Sequence, residues 1–381
     1  MTKPLAPETI AAQAGGGVDP ETGAIIPPIH LSTTYIRDPD NQYRRSYSYS
    51  RPDNPLTRQV EDVLRQLEGG ERAMVFASGM AAACTAMLAL DRPAHVVAPS
   101  VMYWGLKKWL ADDAPSLGVR TTFVDATSIE AIRAAIVPGE TRMVWIETPA
   151  NPMWGISDIR AAAQAAHAAG ALLAVDSTVA TPVLTRPIEL GADVVMHSAT
   201  KYLNGHSDVL AGAIVLARGD AYADRLARGR SMLGAVIGPM EASLLLRGMR
   251  TLHLRVRHQC VSALSIAGHF AAHPRIEAVL YPGLERDPGH ATAARQMSGG
   301  FGGMLSVRVK GGETAAIRAA ANVKLWKRAT SLGGVESLVE HRASVEGPGT
   351  PCPPDLLRLS VGIEAVADLI ADLEQALIAN A

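Results

Sequence analysis

Features that define several protein classes are scarce in this sequence. Its 381 residues include 3 cysteines (Cys84, Cys260 and Cys352), an odd and widely spaced set that forms neither a disulfide framework nor a CxxC metal pair. Its 36 basic and 37 acidic side chains leave a net charge of −1, so it lacks the positive excess that draws proteins to nucleic acid or anionic membranes. No apolar run resembles a signal peptide or a membrane span. We therefore expect a cytoplasmic protein with no nucleic-acid and no membrane partner.

The length and hydrophobic content predict a large domain and a smaller one. The chain exceeds one ordinary domain, and 48% of its residues are hydrophobic. The first fifty residues are rich in Pro, Gly, Thr and Tyr and show no sustained periodicity, which indicates an extended arm. We expect an N-terminal arm (1–55) that reaches a neighbouring subunit, a large domain (56–250) and a small C-terminal domain (251–381).

Short apolar runs alternate with helical segments between residues 60 and 250. Each run is β-branched and nearly continuous, as is typical of strands buried on both faces. The runs are residues 72–78, 95–99, 120–125, 142–148, 172–177 and 193–199. This alternation predicts an α/β fold with a mostly parallel, helix-covered sheet, whose ligands gather at the carboxyl ends of the strands.

The chain beyond residue 250 has a different pattern. Residues 302–311 and 356–364 predict strands of a smaller α+β unit, and a helix with one apolar face closes the sequence. The basic stretch from Arg247 to His258 indicates the polar face of another helix.

Two of the predicted strands end in small polar or acidic residues. Ser78-Gly79-Met80 leads directly into a helix, whose free backbone N–H groups and positive dipole end form a candidate phosphate site. Asp176 closes an apolar strand, where a carboxylate is costly without a cationic partner. Taken alone, a helix cap explains the first feature and a helix cap or a buried ion pair explains the second.

A third strand leads into Lys201. A desolvated lysine has a lowered pKa and becomes a nucleophile able to form a Schiff base, although a lysine at a sheet edge is an equal alternative. The hydroxyls of Ser198 and Thr200 are suitable phosphate donors. A phosphate cradle, a strand-end acid and a strand-end lysine together match what pyridoxal 5′-phosphate (PLP) requires, because the acid keeps the pyridine nitrogen protonated.

The run Asp-Val-Val-Met-His-Ser-Ala-Thr-Lys-Tyr-Leu-Asn-Gly-His-Ser (193–207) resembles the cofactor-lysine signature of the cysteine/methionine-metabolism (trans-sulfuration) family of PLP-dependent enzymes. The resemblance covers nearly the whole chain. Further similar segments are PPIHLSTTY near the start, YSYSRPDNP (47–55), LEGGERAMVFASGMAA (67–82), IETPANP (146–152), DSTVATP (176–182), SLGGVESL (331–338) and LRLSVGIE (357–364). It implies a PLP-dependent transferase fold of type I, similar to aspartate aminotransferase, and a homotetramer built from dimers that share active sites.

The resemblance also implies roles for individual residues. Lys201 would be the Schiff-base lysine and would move protons between substrate carbons, Asp176 would pair with the pyridine nitrogen, and Tyr103 would stack on the cofactor ring. The residues implied at the cofactor phosphate are Gly79, Met80, Ser198 and Thr200, with Tyr49 and Arg51 supplied by the adjacent subunit.

The substrate side of the site follows from the same resemblance. Asn151 matches a position near the cofactor hydroxyl. Arg358 matches the receptor of the substrate α-carboxylate, which suits the planar fork of an arginine. Thr330 and Ser331 match positions beside the substrate. His197 and His206 lack a carboxylate or cysteine to complete a ligand set, so no metal is expected.

Three departures from the family pattern bear on the reaction. Trp104-Gly105-Leu106 stands where Gly-Gly-Thr is common, Leu56-Thr57 where Thr-Arg is common, and Thr330 where glutamate is frequent. The segment SLGGVESL is nevertheless more similar to γ-synthases and γ-lyases than to bacterial β-lyases. The resemblance thus implies γ-replacement on an O-acylhomoserine, as in a cystathionine γ-synthase. The alternatives are elimination by a cystathionine β- or γ-lyase and, more remotely, a catalytically silent PLP-binding protein.

Overall fold

The computed structural model describes residues 5–14 and 17–378, so parts of the expected N-terminal arm (1–4 and 15–16) lie outside the described residues. The elements of the first part are, in chain order, α1 (Pro7–Gln13), α2 (Pro55–Glu68), β1 (Arg72–Phe76), α3 (Gly79–Leu88), β2 (Ala94–Pro99), α4 (Trp104–Asp112), β3 (Val119–Val124), α5 (Ile129–Ala135), β4 (Thr141–Glu147), α6 (Ile159–Ala168), β5 (Leu172–Asp176), α7 (Thr181–Leu184), β6 (Val194–His197) and β7 (Gly212–Leu216). Two 3-10 helices, Ala114–Leu117 and Pro187–Leu190, lie between them.

The second part begins with three helices and continues into a second sheet. Its elements are α8 (Ala221–Leu233), α9 (Pro239–Met249), α10 (Leu252–Phe270), β8 (Ile276–Leu280), α11 (His290–Gln296), β9 (Met304–Val309), α12 (Gly312–Asn322), β10 (Lys327–Arg328), β11 (Leu338–His341), α13 (Arg342–Glu346), β12 (Leu356–Ser360) and α14 (Val366–Ile378). No helix of the described chain is both long enough and apolar enough to cross a membrane.

The large sheet has the strand order β1-β7-β6-β5-β4-β2-β3 across the described residues. Its neighbours are parallel except at β7, which is antiparallel to both β1 and β6. The six predicted strands and the mostly parallel sheet are therefore confirmed. The prediction omitted β7, a short apolar segment that follows the loop after Lys201.

Alternating side chains of this sheet enter two hydrophobic cores. In β4, Val144 and Ile146 belong to one core, and Met143 and Trp145 belong to the other. Helices cover both faces, which explains why the strands are apolar at nearly every position. The carboxyl ends of β4, β5 and β6 consequently open at one edge, where polar side chains can meet.

The small sheet has the order β10-β11-β12-β9-β8. Strands β9 and β12 lie within the two predicted segments, whereas β8, β10 and β11 were not predicted. The closing helix is confirmed, because Leu369, Leu373 and Leu377 of α14 are buried in the core beneath this sheet. Strand β12 lies between β11 and β9 and is antiparallel to both, so its side chains are flanked by those of two strands.

The start of the chain differs from the expected extended arm. Pro7 begins α1, and Pro is favoured at the first turn of a helix because its missing N–H is not needed there. Helix α1 buries Ala11, and the amide of Gln59 donates to the Ala14 carbonyl at 3.1 Å. An extended conformation is thus wrong for residues 7–13, whereas the segment from 17 to 54 has no helix or regular strand.

Candidate active site

A cavity of about 220 Å³ lies where β4, β5 and β6 end and α3 begins. Its lining includes eight of the predicted site residues: Gly79, Met80, Tyr103, Asn151, Asp176, Ser198, Thr200 and Lys201. Thr330 and Ser331 line a larger neighbouring cavity of about 630 Å³, which shares Thr200 and Lys201 with the first. We call this second space the outer lobe. The two cavities together place most of the predicted residues around Lys201.

Lys201 is held in a tight turn that directly follows β6. Its backbone N–H donates to the Ser198 carbonyl at 3.0 Å, and its own carbonyl accepts from Gly205 at 2.7 Å. The Nζ atom donates to the hydroxyl of Ser331 at 2.9 Å. Burial, and after it the positive charge of Arg358, lowers the pKa of Lys201 to about 8. The neutral, nucleophilic form of Lys201 is therefore far more populated near neutral pH than in an ordinary lysine, although it is the minor form.

Arg255 of α10 donates hydrogen bonds to backbone carbonyls in and beside the turn that carries Lys201. Its Nη1 donates to the Tyr202 carbonyl at 2.9 Å, and its Nη2 donates to the Gly248 carbonyl at 2.7 Å. Gly205 has a φ of +73°, and a Cβ there would lie 2.0 Å from Arg255 Nη1, so glycine is required. The prediction that the basic stretch 247–258 forms the polar face of a helix is wrong for Arg255, whose side chain is buried.

Asp176 ends β5 as a buried carboxylate. Its Oδ1 accepts from the backbone N–H of Thr178 at 3.0 Å and from the Thr178 hydroxyl at 2.6 Å. No hydrogen bond from the described residues uses Oδ2. Desolvation raises the pKa of Asp176, despite these two bonds. A cationic group bound in the cavity would remove this penalty.

The start of α3 forms a close-fitting cradle. Ser78 caps the helix by accepting from the Ala81 N–H at 3.1 Å, as the sequence predicted. A Cβ on Gly79 would lie 2.9 Å from Cβ and Oγ of Ser198, so only glycine lets these two segments approach. The cradle therefore offers helix N-terminal N–H groups and the Ser198 hydroxyl to an anion.

Thr200 lies beside this cradle with its hydroxyl already engaged. The hydroxyl donates to the Ala211 carbonyl at 3.1 Å and accepts from the Ala211 N–H at 2.9 Å. It must rotate before it can donate to a phosphate oxygen.

Tyr103 stands at the mouth of the cavity, where its side chain is 42% exposed. A Cβ on Gly105 would lie 2.8 Å from Cε1 of the Tyr103 ring, so the ring needs glycine at this position. The Tyr103 N–H donates to Glu147 Oε2 at 2.7 Å, which fixes the start of α4 against the end of β4.

Glu147 is a site residue that the sequence reasoning missed. Its Oε1 accepts from the Asn151 N–H at 2.8 Å, so one carboxyl group joins the Tyr103 and Asn151 turns. Burial, and after it the negative charge of Asp176, raises the pKa of Glu147 to about 8. The signal was available, since Glu147 closes an apolar strand just as Asp176 does.

Arg358 of β12 lies behind the cavity and binds residues on both sides of it. Its Nη1 donates to Asn151 Oδ1 at 3.1 Å, and its Nη2 donates to the Ser331 carbonyl at 2.8 Å. Ser331 has a φ of +135°, a strained conformation of the kind that persists at functional sites. Burial lowers the pKa of Arg358 to about 10.

The residues that depart from the family pattern lie in different parts of the structure. Leu106 lines the main cavity, and Thr330 lines the outer lobe while its hydroxyl donates to Glu340 Oε1 at 2.5 Å. Leu56 is buried in the hydrophobic core of its own chain, and Trp104 begins α4 next to Tyr103.

Tyr49 and Arg51 do not line either cavity of their own chain. Arg51 Nη1 donates to the Ser231 carbonyl at 3.0 Å, and the Tyr49 side chain is largely exposed. His206 lies on the turn after Lys201, where its Nδ1 bonds the Asn204 carbonyl at 2.8 Å. Across the described residues, no cluster of three His, Cys, Asp or Glu side chains could hold a metal ion.

These groups fit pyridoxal 5′-phosphate. The glycine-walled cradle accommodates a phosphate, the buried Asp176 lacks a cation that a protonated pyridine nitrogen would supply, and Lys201 offers a nucleophilic amine.

The chain matches known proteins along almost its whole length. The profile of a family described as "Cys/Met metabolism PLP-dependent enzyme" matches residues 8–378. A cystathionine gamma-synthase of Mycobacterium tuberculosis is 44% identical over 377 residues, which cover 97% of this chain and 96% of the relative. A cystathionine gamma-lyase of Dictyostelium discoideum is 38% identical, with 97% of each chain covered. The crystal structure of cystathionine gamma synthase from Xanthomonas oryzae pv. oryzae, in complex with aminoacrylate and cysteine, has a TM-score of 0.95 at 36% identity and covers 99% of both chains.

Proposed function

Because the chain belongs to the Cys/Met metabolism family of PLP-dependent enzymes, we propose that it catalyses γ-replacement on an O-acylhomoserine, with cysteine as the thiol. The observation that carries this proposal is the bonding of Lys201 Nζ and the Arg358 guanidinium to the same residue, Ser331. A base that lines the cavity and a candidate carboxylate receptor directly behind it are thereby held by one residue. The 44% identity to a cystathionine gamma-synthase supports replacement as the outcome.

The cofactor would be held by residues at or after the ends of four strands of the large sheet, β1, β2, β5 and β6. When bound, PLP withdraws electrons from the substrate α-carbon and so stabilises negative charge there. Lys201 would attach it, Asp176 would keep its pyridine nitrogen protonated, and Tyr103 would cover its ring. The phosphate would take the cradle formed by Gly79, Met80, Ser198 and Thr200.

The environment of Lys201 suits it to move protons between substrate carbons. γ-Replacement requires a proton to leave Cα and then Cβ before the γ-substituent departs, so one base must reach both carbons. A lysine with a pKa of about 8 can accept and return protons near neutral pH. The Ser331 hydroxyl, 2.9 Å from Nζ, steers the amine within the cavity.

Arg358 and Asn151 would orient the amino-acid substrate. The guanidinium presents a planar fork to the α-carboxylate, and Asn151 Oδ1 restrains that fork at 3.1 Å. Ser331 and Thr330 would border the substrate side chain in the outer lobe, whose volume of about 630 Å³ accommodates the acyl group and the incoming thiol.

Elimination is the second candidate, because a cystathionine gamma-lyase is 38% identical over nearly the whole chain. Steady-state assays separate the two reactions. The purified protein is given O-succinyl- or O-acetylhomoserine with cysteine in one series, and cystathionine alone in the other. We expect cystathionine to form in the first series faster than it is broken down in the second.

Two other results would contradict this proposal. Formation of pyruvate and homocysteine from cystathionine, with no replacement product, would identify a β-lyase. Cofactor absorbance without turnover of any sulfur amino acid would identify a silent PLP-binding protein.

We also propose a cytoplasmic homotetramer built from dimers, with an arm (1–55), a large domain (56–250) and a small domain (251–381). The separate sheets, with strands between 72–216 and 276–360, support the two domains. Exposed apolar side chains support burial against other subunits; they are Ile25, Leu31, Ile36 and, at the cavity, Leu210. The free thiols of all three cysteines support a reducing compartment.

A further inference from the structure

Four charged side chains form a buried network behind the cavity. We call Glu340, Arg342, Glu346 and Arg358 the charge cluster; their side chains are only 2–6% exposed. Arg358 Nη2 lies 2.6 Å from Glu340 Oε2, and Arg342 Nη1 lies 3.0 Å from the same oxygen. Arg342 Nε also reaches Glu346 Oε1 at 2.9 Å. The cluster therefore contains two cations and two anions in contact.

Glu340 is shared between the two arginines and one hydroxyl. Its Oε2 contacts both guanidinium groups, while its Oε1 accepts from Thr330. A buried carboxylate that faced Arg358 alone would neutralise it and compete with a carboxylate from the substrate. Arg342 takes part of the charge of Glu340, and Glu346 balances Arg342 in turn.

Removal of Arg342 would make the charge cluster more negative. Glu340 would then have Arg358 as its only cationic partner, Glu346 would lose its partner, and the cluster would carry a net negative charge. Glu340, already in contact with Arg358, would neutralise more of its charge, and the potential that attracts an anion into the cavity would fall.

We propose that Arg342 is a positioning residue that keeps Arg358 available to the substrate α-carboxylate by sharing Glu340. The inference rests on the proposed function only in assigning that carboxylate to Arg358. The charge cluster also acts on Lys201: burial lowers the pKa of this lysine most, the positive charges of Arg358 and Arg342 lower it further, and the negative charge of Glu340 raises it. The buried Nη2 of Arg342 has no hydrogen-bond partner among the described residues, so one donor group of this side chain is unsatisfied.

The test uses two reagents that react with the carbonyl carbon of bound PLP and change its absorbance. Aminooxyacetate carries a carboxylate, whereas O-methylhydroxylamine does not. The ratio of their second-order rate constants with the holoenzyme measures carboxylate recognition without any turnover. Arg358→Ala should abolish the preference for aminooxyacetate.

Arg342→Met should lower this ratio by roughly tenfold, the loss typical of a weakened hydrogen bond to a charged group. The rate with O-methylhydroxylamine should stay within about twofold of the wild-type value. Arg342→Lys, which retains the charge but not the fork, should give an intermediate ratio. The double variant Arg342→Met/Glu340→Gln should recover most of the ratio, because the competing anion is gone.

Arg308→Met is the matched control. Arg308 of β9 pairs with Asp355 at 2.9 and 3.0 Å in the same small sheet but lines neither cavity. This variant should keep the wild-type ratio, even if it is less stable.

A wild-type ratio in Arg342→Met would overturn the inference, and so would an equal fall of both rate constants. If Arg342→Met does not bind the cofactor, the double variant Arg342→Met/Glu340→Gln tests the inference instead. A ratio of rate constants in the double variant as low as that in Arg358→Ala would exclude the proposed sharing of Glu340. A preference that survives Arg358→Ala would instead refute the carboxylate assignment in the proposed function. Neither reagent tests whether the reaction is replacement or elimination.

Discussion

The chemistry of Lys201 is set by its surroundings rather than by its own side chain. Burial and the nearby Arg358 lower its pKa to about 8, against about 10.4 for an ordinary lysine. The sequence already indicated that Lys201 would be buried, because it follows an apolar strand. The nearby arginine could not be inferred from position, because Arg358 is 157 residues further along the chain.

The lowered pKa predicts how the cofactor-free protein takes up PLP. Only the neutral amine attacks the cofactor, so the uptake rate should rise with pH up to about 8 and then level off. An unperturbed lysine would give a rate that still rises beyond about pH 9. Stopped-flow absorbance of PLP incorporation across this range provides the measurement.

Lys201→Ala is the control for this experiment. It should show no absorbance from lysine-bound cofactor at any pH, and turnover should fall by orders of magnitude. A profile without a plateau near pH 8 would mean that the amine is not desolvated, and activity in Lys201→Ala would refute its central role.

At the scale of elements, strand ends bring the site together. Three adjacent strands deliver Glu147, Asp176 and the turn that carries Lys201 to one edge of the sheet. Glu147 adds a connection between elements, because it accepts from the N–H groups of Tyr103 and Asn151. One carboxyl group thus holds both Tyr103 at the mouth of the cavity and Asn151, the partner of Arg358.

Glu147→Gln should loosen both turns. Glutamine has one acceptor oxygen for two N–H donors, so one donor is left without a partner at a cost of about 1–3 kcal/mol. We expect a lower melting temperature and weaker PLP binding. Thermal denaturation and a fluorescence titration of PLP would measure the two effects.

Glu364→Gln provides a matched comparison. Glu364 also accepts two bonds, from the N–H and the hydroxyl of Ser337, each at 2.7 Å, but it lines neither cavity. It should lower the melting temperature and leave PLP affinity unchanged. Equal PLP affinity in Glu147→Gln and the wild type would show that Glu147 does not organise the site.

At the scale of the whole molecule, the single chain leaves its arm residues away from its own cavity. Arg51 bonds the Ser231 carbonyl, and Ile36 in the same segment is 82% exposed. A second subunit that covers this surface would bury apolar area and bring an arm towards its neighbour's site. The dimer is therefore the expected catalytic unit.

Mixed subunits test this arrangement. Arg51→Ala and Lys201→Ala should each be poorly active alone, but a mixed dimer contains one site with an intact lysine and an intact arm from the partner. Co-expression should restore about a quarter of the wild-type activity, because half of the dimers are mixed and each has one complete site.

Separately purified variants that are mixed only in the assay tube serve as the control, since their subunits have not exchanged. No gain on co-expression would place Arg51 in the site of its own chain or outside any site.

Much of the fold was determined by local patterns in the sequence. Continuous apolar runs identified six buried strands, and the capping residue Ser78 marked the start of α3. These predictions succeed because burial on both faces and helix capping depend on neighbouring residues. Strand β7 is an apolar run of the same kind and could have been predicted, whereas the short strands β10 and β11 of the small sheet lacked so strong a local pattern.

The candidate site divides in the same way. The positions of Asp176 and Lys201 at strand ends could be predicted from the sequence, because these polar residues follow apolar ones. The sharing of Glu340 by Arg342 and Arg358 was decided only by the tertiary structure, since it depends on β11, α13 and β12 lying side by side. Charges distant in sequence meet only when strands pair, so the sequence by itself determined the reactive groups and the tertiary structure determined what each of them faces.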